Sequence, residues 1–272
     1  MKPQLIACDL DGTLMAPDHL TVTERTFNAL KTAHDKGVKI AIATGRTLGF
    51  TENVTEQIPF ADYVIYSNGA CVYDRVQNKD VYRNRLSCQQ TAEILKTLSE
   101  MELYYNAYVD GEIYVQRSKA QFYKNRELPP KFLELFVKIA HECDDIAFSL
   151  EGREAEIIAM YSMNSRQMNK MLSMFREMGL HITSSIPDEL EVTAPKVNKG
   201  TAIEGLCRAA GFDTGLVMAF GDAMNDYEMI KTAGLSYAMG NACEQLKQAA
   251  RFVTLSNADD GVAVAVENIL NL

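Results

Sequence analysis

An apolar segment that runs directly into two aspartates constrains this chain more than any other feature. Residues 5–8 (Leu-Ile-Ala-Cys) are apolar, and Asp9, Leu10, Asp11 and Gly12 follow them. The apolar segment predicts a short buried strand, and Gly12 predicts its sharp end. Because side chains alternate along a strand, we expect the Asp9 and Asp11 side chains on one face, at most about 7 Å apart. Their repulsion predicts a bound divalent cation, although an isolated motif of this kind can also cap a turn or a helix.

Strands and helices alternate over the first part of the chain. Apolar strands are predicted at 5–8, 38–43 and 63–66, with helices at 23–36 and 48–57 between them. This order is typical of a parallel sheet with helices on both faces, which binds ligands at the carboxyl ends of its strands. Each of these strands is followed by small or polar residues. We therefore expect an α/β fold with a site at that edge of the sheet.

The alternation is interrupted after residue 70. Residues 71–83 predict a hairpin, and Asp110-Gly111 predicts the turn of another one. We interpret residues 84–190 as an α+β module inserted into a core of residues 1–83 and 191–272. The predicted elements of the module are helices at 87–101, 131–140 and 165–178 and strands at 104–109, 112–116 and 156–163.

The strand–helix pattern resumes after residue 195 and brings a second acidic motif. Asp222 and Asp226 follow a predicted strand at 217–220. If this strand neighbours the first one, the carboxylates of both motifs converge at one edge of the sheet. The remaining predicted elements are helices at 198–210, between 226 and 235, from 244 onward and at the C-terminal end, and strands at 235–239 and 252–254.

Three further side chains are expected near these carboxylates. Thr44 follows the second strand and Asn225 lies in the second acidic motif, so they add a hydroxyl and an amide group. Lys199 adds a positive charge at the start of a helix, where backbone N–H groups already favour anions. Oxygen donors without histidine or cysteine suit Mg²⁺ rather than zinc.

The composition excludes several classes of protein. The 272 residues carry a formal net charge of −9, which gives no basic surface for nucleic acid or an anionic membrane. We expect no signal peptide and no membrane span. The six cysteines are scattered without metal or disulfide spacing, so we expect free thiols in a cytoplasmic protein. The oligomeric state stays open.

Four motifs follow one another along the chain: Asp-Leu-Asp-Gly-Thr-Leu at 9–14, Ala-Thr-Gly-Arg at 43–46, Lys199-Gly200 and Gly-Asp-Ala-Met-Asn-Asp at 221–226. In this order they resemble the motifs of the haloacid dehalogenase superfamily of phosphohydrolases. The resemblance spans essentially the whole chain, and it implies a Rossmann-like three-layer core with a parallel sheet.

Ser67-Asn68-Gly69 and the inserted module resemble the Cof-type subfamily with a C2B cap. The core motifs include nothing that recognises a leaving group, so we expect the module to be a mobile lid that selects small phosphorylated metabolites, with hinges near 83–86 and 190–195. The alternative is that the module only adds stability or an oligomer interface.

The resemblance also implies roles for the acidic residues. Asp9 would be the nucleophile that forms an aspartyl-phosphate, and Asp11 the general acid and then the general base. Mg²⁺ would be bound by the Asp9 carboxylate, the Asp11 backbone carbonyl and Asp222. Asp226 would orient Asp222 or a water molecule bound to the metal.

The same resemblance implies a set of groups that hold the phosphoryl oxygens. They are the backbone N–H groups of Leu10 and Gly45 and the side chains of Thr44, Asn225 and Lys199. Mg²⁺ and a lysine are needed because a dianionic phosphate does not otherwise approach a carboxylate nucleophile. Arg46 could pair with a carboxylate or touch the substrate.

Three other functions share parts of this pattern with a phosphatase. A response-regulator receiver lacks a second acid at the Asp-x-Asp spacing and an inserted module. A catalytically silent phosphosugar-binding protein would have lost Asp9 or Asp11, and both are present. A phosphomutase uses the same aspartyl-phosphate with a different acceptor and stays open. The sequence does not specify the substrate.

Overall fold

The computed structural model describes residues 2–119, 130–183 and 189–271, and the chain forms two compact units. Elements are numbered below in chain order. The first unit comprises Met1–Arg46, Thr51–Arg83 and Asn198–Leu272, and the second comprises Thr47–Phe50 and Asn84–Val197.

An eight-stranded sheet forms the centre of the first unit, with strand order β14-β13-β12-β1-β2-β3-β4-β5 among the described residues. The pairs from β14 through β3 are parallel, and the hairpin β4–β5 adds two antiparallel strands at one edge. The strands are β1 (Leu5–Cys8), β2 (Lys39–Ala43), β3 (Tyr63–Tyr66), β4 (Cys71–Asp74), β5 (Lys79–Arg83), β12 (Val217–Gly221), β13 (Leu235–Ala238) and β14 (Phe252–Val253).

Helices cover both faces of this sheet. Every residue of β1 and β12 is buried, and successive side chains of a strand point to opposite faces, so both faces must be covered. The helices are α1 (Glu24–Asp35), α2 (Glu52–Gln57), α7 (Lys199–Ala210), α8 (Tyr227–Thr232), α9 (Glu244–Ala249) and α10 (Gly261–Leu270). Helix α1 packs against α10, and α7 packs against α8. The predicted α/β core with a parallel sheet is confirmed.

Local capping explains where two of these helices begin. The Thr23 side chain accepts a hydrogen bond from the backbone N–H of Thr26 at the start of α1. The Asn198 side chain does the same for the N–H of Thr201 at the start of α7. Each bond satisfies an N–H group that has no partner within its helix.

The helix predicted at 48–57 begins later than expected, at Glu52. The segment Thr47–Phe50 belongs to the second unit, where the backbone N–H of Gly49 donates to the carbonyl oxygen of Gly111 over 3.0 Å. This long-range contact competes with the helical hydrogen bonds that the local sequence would otherwise form.

The second unit contains a six-stranded sheet with strand order β10-β11-β9-β6-β7-β8 among the described residues. The predicted module ends at residue 190, whereas β11 begins there, pairs with β9 and β10, and brings residues up to Val197 into this unit. The elements are α3 (Cys88–Glu100), β6 (Tyr104–Val109), β7 (Glu112–Gln116), α4 (Pro130–Ile139), β8 (His141–Cys143), α5 (Ile146–Ser149), β9 (Ile157–Tyr161), α6 (Ser165–Glu177), β10 (His181–Thr183) and β11 (Leu190–Thr193).

Each face of this second sheet has its own apolar cluster. Tyr105 and Met160 pack with Leu95 of α3 and Phe175 of α6. The alternate residues of the same strands pack on the other face, where the cluster includes Phe50, Tyr104, Ile113, Val115, Phe136 and Ile157. The α+β character of the inserted module is confirmed. None of the helices in the described ranges is long and apolar enough to cross a membrane.

One carboxyl group in this unit makes stability depend on pH. Burial, reinforced by the charge of Glu189, raises the pKa of Glu191 from 4.5 to about 7, against a hydrogen bond from Thr183. The folded state therefore holds this proton more tightly than the unfolded chain. This tighter proton binding stabilises the folded state. The stabilisation is fully present below about pH 4.5 and is lost as the pH rises through about 7.

We therefore expect Glu191→Gln to remove part of the fall in the free energy of unfolding between pH 4.5 and 7. Urea unfolding at several pH values measures this. The exposed Glu93 of α3 provides the control variant Glu93→Gln, which should keep the wild-type pH dependence. An unchanged pH dependence in Glu191→Gln would show that this carboxyl is not responsible.

Candidate active site

The sequence motifs meet at the carboxyl ends of neighbouring strands. β1 pairs with β12 on one side and with β2 on the other, and all three run in the same direction. Asp9 follows β1, and its backbone N–H donates to the carbonyl oxygen of Phe220 over 3.0 Å. Thr44 follows β2 and Asp222 follows β12. The strands that precede the two acidic motifs, β1 and β12, are therefore neighbours, as predicted.

A buried lysine joins two of the aspartates. The ammonium group of Lys199 donates to Oδ1 of Asp9 and to Oδ1 of Asp226, each over 2.6 Å. The Lys199 side chain is fully buried, as is Asp226. Burial alone would lower the pKa of Lys199, but the charges of Asp226 and Asp9 outweigh it and raise the pKa above its usual value. The two carboxylates therefore favour the charged form of the Lys199 ammonium group.

Asp226 also shapes the loop that carries Asp222. Its second oxygen, Oδ2, accepts hydrogen bonds from the backbone N–H groups of Asp222 (3.0 Å) and Ala223 (3.1 Å). Gly221 has to lack a side chain, since a Cβ there would lie 2.5 Å from the Cβ of Asp226. The hydroxyl of Thr13 donates to Oδ1 of Asp222 over 2.9 Å. The loop is thus held at its backbone and at the Asp222 side chain.

Three carboxylates form a cluster in the described part of the chain. One oxygen each of Asp9, Asp222 and Asp226 lies within 4.8 Å of the others. Burial and the charge of Asp226 raise the pKa of Asp9 well above its usual value, against the opposing effect of Lys199. Burial also raises the pKa of Asp222.

This cluster fits a divalent cation. Three carboxylates face the one ammonium group of Lys199, so a divalent ion would balance the remaining negative charge. Its donors are all oxygens, which suits a hard cation.

Gly12, at φ 84°, lets the main chain pass beside Asp222, because a Cβ there would lie 2.4 Å from Oδ2 of Asp222.

Asp11 lies in a different environment from Asp9. The strand ends at Cys8 and a wide turn, Leu10–Leu14, follows, so the expectation from strand alternation does not hold. The Asp11 carboxylate accepts two hydrogen bonds from Arg46, from Nε to Oδ2 (3.0 Å) and from Nη2 to Oδ1 (2.6 Å). His19 Nδ1 lies 3.3 Å from the same Oδ1. Arg46 therefore pairs with a carboxylate, which was one of its two predicted roles.

Two of the predicted phosphate-binding residues, Asn225 and Gly45, share Asn68 as a neighbour. The Asn225 amide donates to Oδ1 of Asn68 over 3.3 Å, and a Cβ on Gly45 would lie 2.9 Å from that oxygen. Thr44 is buried, and its hydroxyl accepts the backbone N–H of Arg46 over 3.1 Å. Leu10 is buried, and its carbonyl oxygen closes the wide turn by accepting the N–H of Met15.

Sequence reasoning missed two asparagines at this edge. Asn68 has φ 54°, and its backbone N–H donates to the carbonyl oxygen of Thr44 over 3.0 Å. Its signal was the Ser67-Asn68-Gly69 segment, which was used only to assign a subfamily. Asn241 donates from its amide to the carbonyl oxygen of Gly12 over 2.8 Å. Nothing in the sequence around Asn241 marked it.

Comparisons with known proteins show the family to which the chain belongs. A family model described as haloacid dehalogenase-like hydrolase matches residues 6–266. The chain is 30% identical to the 5-amino-6-(5-phospho-D-ribitylamino)uracil phosphatase of Bacillus subtilis, over 97% of this chain and 95% of that one. It is 28% identical to the HMP-PP phosphatase of Klebsiella pneumoniae, over 90% and 86% of the two chains.

A solved structure of a haloacid dehalogenase-like hydrolase has a similar fold. The haloacid dehalogenase-like hydrolase from Bacteroides thetaiotaomicron matches with a TM-score of 0.81 at 25% identity, over 98% of this chain and 100% of that one. The fold and the acidic site at the strand ends define a hydrolase of the phosphatase class. The chain belongs to the haloacid dehalogenase-like hydrolase family. The predicted family, and the prediction of an enzyme, are confirmed.

Proposed function

We propose that this protein is a Mg²⁺-dependent phosphatase that hydrolyses a small phosphorylated metabolite through an aspartyl-phosphate on Asp9. The observation that carries the proposal is the buried pairing of Asp9 with Lys199, beside Asp222 and Asp226. One Asp9 oxygen is held by Lys199, which orients the carboxylate. The enzymes named among its relatives act on small phosphorylated compounds, which supports the substrate class.

Two chemical steps follow from these groups. In the first, a carboxylate oxygen of Asp9 forms a bond to phosphorus while the bond from phosphorus to the leaving oxygen breaks, and Asp11 gives that oxygen a proton. In the second, Asp11 takes a proton from water, the water oxygen bonds to phosphorus, the bond from phosphorus to the Asp9 oxygen breaks, and inorganic phosphate leaves. Both carboxylates then return to their starting state.

The cation site is proposed for Mg²⁺. The carboxylates of Asp9 and Asp222 and the backbone carbonyl of Asp11 would hold the ion, and Asp226 would orient Asp222 through the loop that it binds. When bound, Mg²⁺ supplies positive charge that lets a phosphate dianion approach a carboxylate. Lys199 supplies further positive charge from this chain itself.

The phosphoryl oxygens are proposed to bind at the neighbouring strand ends. Thr44 and Asn225 offer a hydroxyl and an amide, and the backbone N–H groups of Leu10 and Gly45 offer two further donors. Lys199 completes this set. Asn68 lies against Asn225 and Gly45 and supports their positions.

A phosphate-release screen tests the proposed activity. Purified protein is assayed with Mg²⁺ or with a chelator over sugar phosphates, nucleotides, flavin mononucleotide, HMP-PP and 5-amino-6-(5-phospho-D-ribitylamino)uracil. We expect Mg²⁺-dependent release from one or a few small phosphate esters. Activity that survives chelation, or transfer of phosphate to a second sugar position without release, would contradict a Mg²⁺-dependent phosphatase.

Asp11→Asn and Asp222→Ala should separate proton transfer from metal binding. Asp11→Asn loses the proton donor but keeps the backbone carbonyl, so turnover should fall about 10²–10⁴-fold with a small change in Mg²⁺ affinity. Asp222→Ala removes a proposed carboxylate ligand and should weaken Mg²⁺ binding more strongly. Calorimetric Mg²⁺ titrations of both variants measure this, and the reverse order of affinities would mean that the roles are exchanged.

We also propose that the second unit selects the substrate. The sequence motifs that carry the proposed chemistry lie in the first unit, and they include nothing that would recognise a leaving group. The face of the second sheet opposite α3 and α6 also holds polar groups, where the buried Asn106 amide donates over 3.0 Å to the hydroxyl of Tyr161, which is 6% exposed. Tyr161→Phe should change the ranking of natural substrates but not the rate with 4-nitrophenyl phosphate. An unchanged ranking would favour a purely structural role.

A cytoplasmic location is proposed from cysteine chemistry. All six cysteines are free thiols, and Cys8 and Cys71 are buried in the first unit. Thiols of this kind persist in a reducing compartment. Fractionation of cells that express the tagged protein measures its location.

A further inference from the structure

We propose that Asn241 is a positioning residue for the proposed Mg²⁺ site, because it ties the wide turn Leu10–Leu14 to the loop of Asp222. Asn241 lies in residues 239–243, a loop between β13 and α9 that is called the brace below. The inference rests on the proposed function, in which the Asp11 carbonyl and the Asp222 carboxylate bind Mg²⁺. Every residue that it uses belongs to the first unit.

The brace is bonded to the loop that carries Asp222. The backbone N–H of Cys243 donates to the carbonyl oxygen of Asp222 over 3.1 Å. At the other end of the brace, the N–H of Met239 donates to the carbonyl oxygen of Gly221 over 3.0 Å. This second bond continues the parallel pairing of β12 with β13 beyond the end of β13. The main chain of the brace therefore has a fixed position relative to Asp222.

Asn241 connects the brace to the wide turn. Its amide Nδ2 donates to the carbonyl oxygen of Gly12 over 2.8 Å, and its Oδ1 accepts the backbone N–H of Asn257 over 3.1 Å. Because Asn257 engages the amide oxygen, the amide nitrogen is the atom that faces Gly12. The Asn257 side chain also donates to the carbonyl oxygen of Met15 over 3.0 Å. The turn is thus held at its centre and just past its end.

Gly12 is the residue of the wide turn that most needs an external contact. Its φ is 84°, and a residue without a Cβ can adopt many other conformations. One side of Gly12 faces Asp222, and its carbonyl oxygen is bonded to Asn241. The peptide group between Asp11 and Gly12 is planar and contains the Asp11 carbonyl. Holding Gly12 in place therefore restricts the direction of that proposed metal ligand.

A further hydrogen bond closes the arrangement. The Thr13 hydroxyl donates to Oδ1 of Asp222 over 2.9 Å, so the wide turn also contacts the Asp222 side chain directly. The hydrogen bonds of Asn241, Cys243 and Thr13 thus form a ring that joins the turn, the brace and the second acidic motif. Mg²⁺ demands near-octahedral ligands at about 2.1 Å, so its affinity depends on the spacing that this ring maintains.

Two amide side chains provide a matched test. Asn241→Ala and Gln4→Ala each remove a neutral amide that bonds to main-chain groups distant in sequence. Gln4 precedes β1, at the end of the sheet opposite the carboxylates, and its Oε1 accepts the N–H of Asp213 over 2.8 Å. Both variants and wild type are titrated calorimetrically with Mg²⁺ and with Ca²⁺, as full-length proteins without substrate. Urea unfolding is measured without metal.

The expected result is a selective loss of Mg²⁺ affinity. Asn241→Ala should weaken Mg²⁺ binding about 10-fold, since contacts that orient metal ligands typically carry factors of this size. Ca²⁺ tolerates more variable ligand distances, so its affinity should fall about 3-fold at most. The substitution changes no charge, so the difference between the two ions reports positioning. Gln4→Ala should lower the urea midpoint and keep both affinities within about 2-fold of wild type, because it lies far from the site.

A milder variant keeps the test decisive if Asn241→Ala does not fold. Asn257→Ala removes the bond to Met15 but keeps the backbone N–H that orients Asn241. It should weaken Mg²⁺ binding about 3-fold, again more than Ca²⁺ binding. Wild-type Mg²⁺ affinity in the folded asparagine variants, or equal losses for the two ions, would overturn the inference.

Failure of the proposed function has a different signature. If wild-type protein bound no Mg²⁺ in the same titration, the proposed metal site would be wrong, and the inference would fall with it. If wild type bound Mg²⁺ and the asparagine variants bound it equally well, only the inference would fall. Turnover by Asp9→Asn would contradict the proposed nucleophile and leave the titrations unaffected.

Discussion

Asp9→Asn is expected to abolish turnover and to leave the protein folded. A neutral amide cannot attack phosphorus, so no aspartyl-phosphate can form. The amide oxygen can still accept the hydrogen bond from Lys199. Removing one charge also relieves the repulsion from Asp226 that raises the pKa of Asp9. The free energy of unfolding without metal should therefore be unchanged or higher.

Steady-state kinetics and urea unfolding measure the two parts of this prediction. Asp35→Asn is a suitable control, since Asp35 is an exposed aspartate that pairs with Lys31 on the surface of α1. This control should keep wild-type turnover. If Asp9→Asn retained more than a few per cent of the wild-type kcat, Asp9 would not be the nucleophile.

Lys199→Met is expected to reduce both stability and turnover. The substitution leaves Asp9 and Asp226 buried at the site of a missing cation. Removing one partner of a buried ion pair typically costs about 3–5 kcal/mol in the free energy of unfolding. Turnover falls as well, because the positive charge that faces the phosphate is lost.

A double substitution and a surface control sharpen this prediction. Lys199→Met combined with Asp226→Asn should recover part of the lost stability, because one of the uncompensated charges is removed. Lys31→Met removes a lysine that pairs with Asp35 over 2.5 Å, and both side chains are exposed (43% and 57%), so it should cost at most about 1 kcal/mol. Equal losses in Lys199→Met and Lys31→Met would mean that the buried pairs do not hold the site together.

Much of the fold could be predicted because its signals are local. Apolar segments predicted the strands β1, β2, β3 and β12, and Asp110-Gly111 predicted the turn between β6 and β7. The strands β8, β10 and β11 were missed. All three are short, and the exposed or polar residues of β8 and β10, such as His141 and His181, carry no apolar pattern. In β11 only Leu190 and Val192 alternate with polar residues, which is too short a pattern to predict a strand. Their strand form depends on pairing with neighbours that the local sequence does not reveal.

The residues of the candidate site could be named from motifs, but their contacts could not. Lys199 lies between Asp9 and Asp226 because α7 begins at this edge of the sheet, and such a contact joins distant parts of the chain. Pairing with a carboxylate was one of two roles predicted for Arg46, but Asp11 could not be named as the partner, because the strand ends at Cys8 and the wide turn redirects Asp11. Turn geometry of this kind depends on Gly12 and on the loop of Asp222 that it faces.

The central claim is that Asp9 carries the phosphoryl group during turnover. Wild-type protein with Mg²⁺ and 4-nitrophenyl phosphate can be quenched in acid within the first turnover, digested and analysed by mass spectrometry. We predict a phosphoryl group on Asp9 that is absent from Asp9→Asn and from samples without substrate. A phosphoryl group on another residue, or turnover by wild-type protein with Asp9 unmodified throughout the first cycle, would contradict the account.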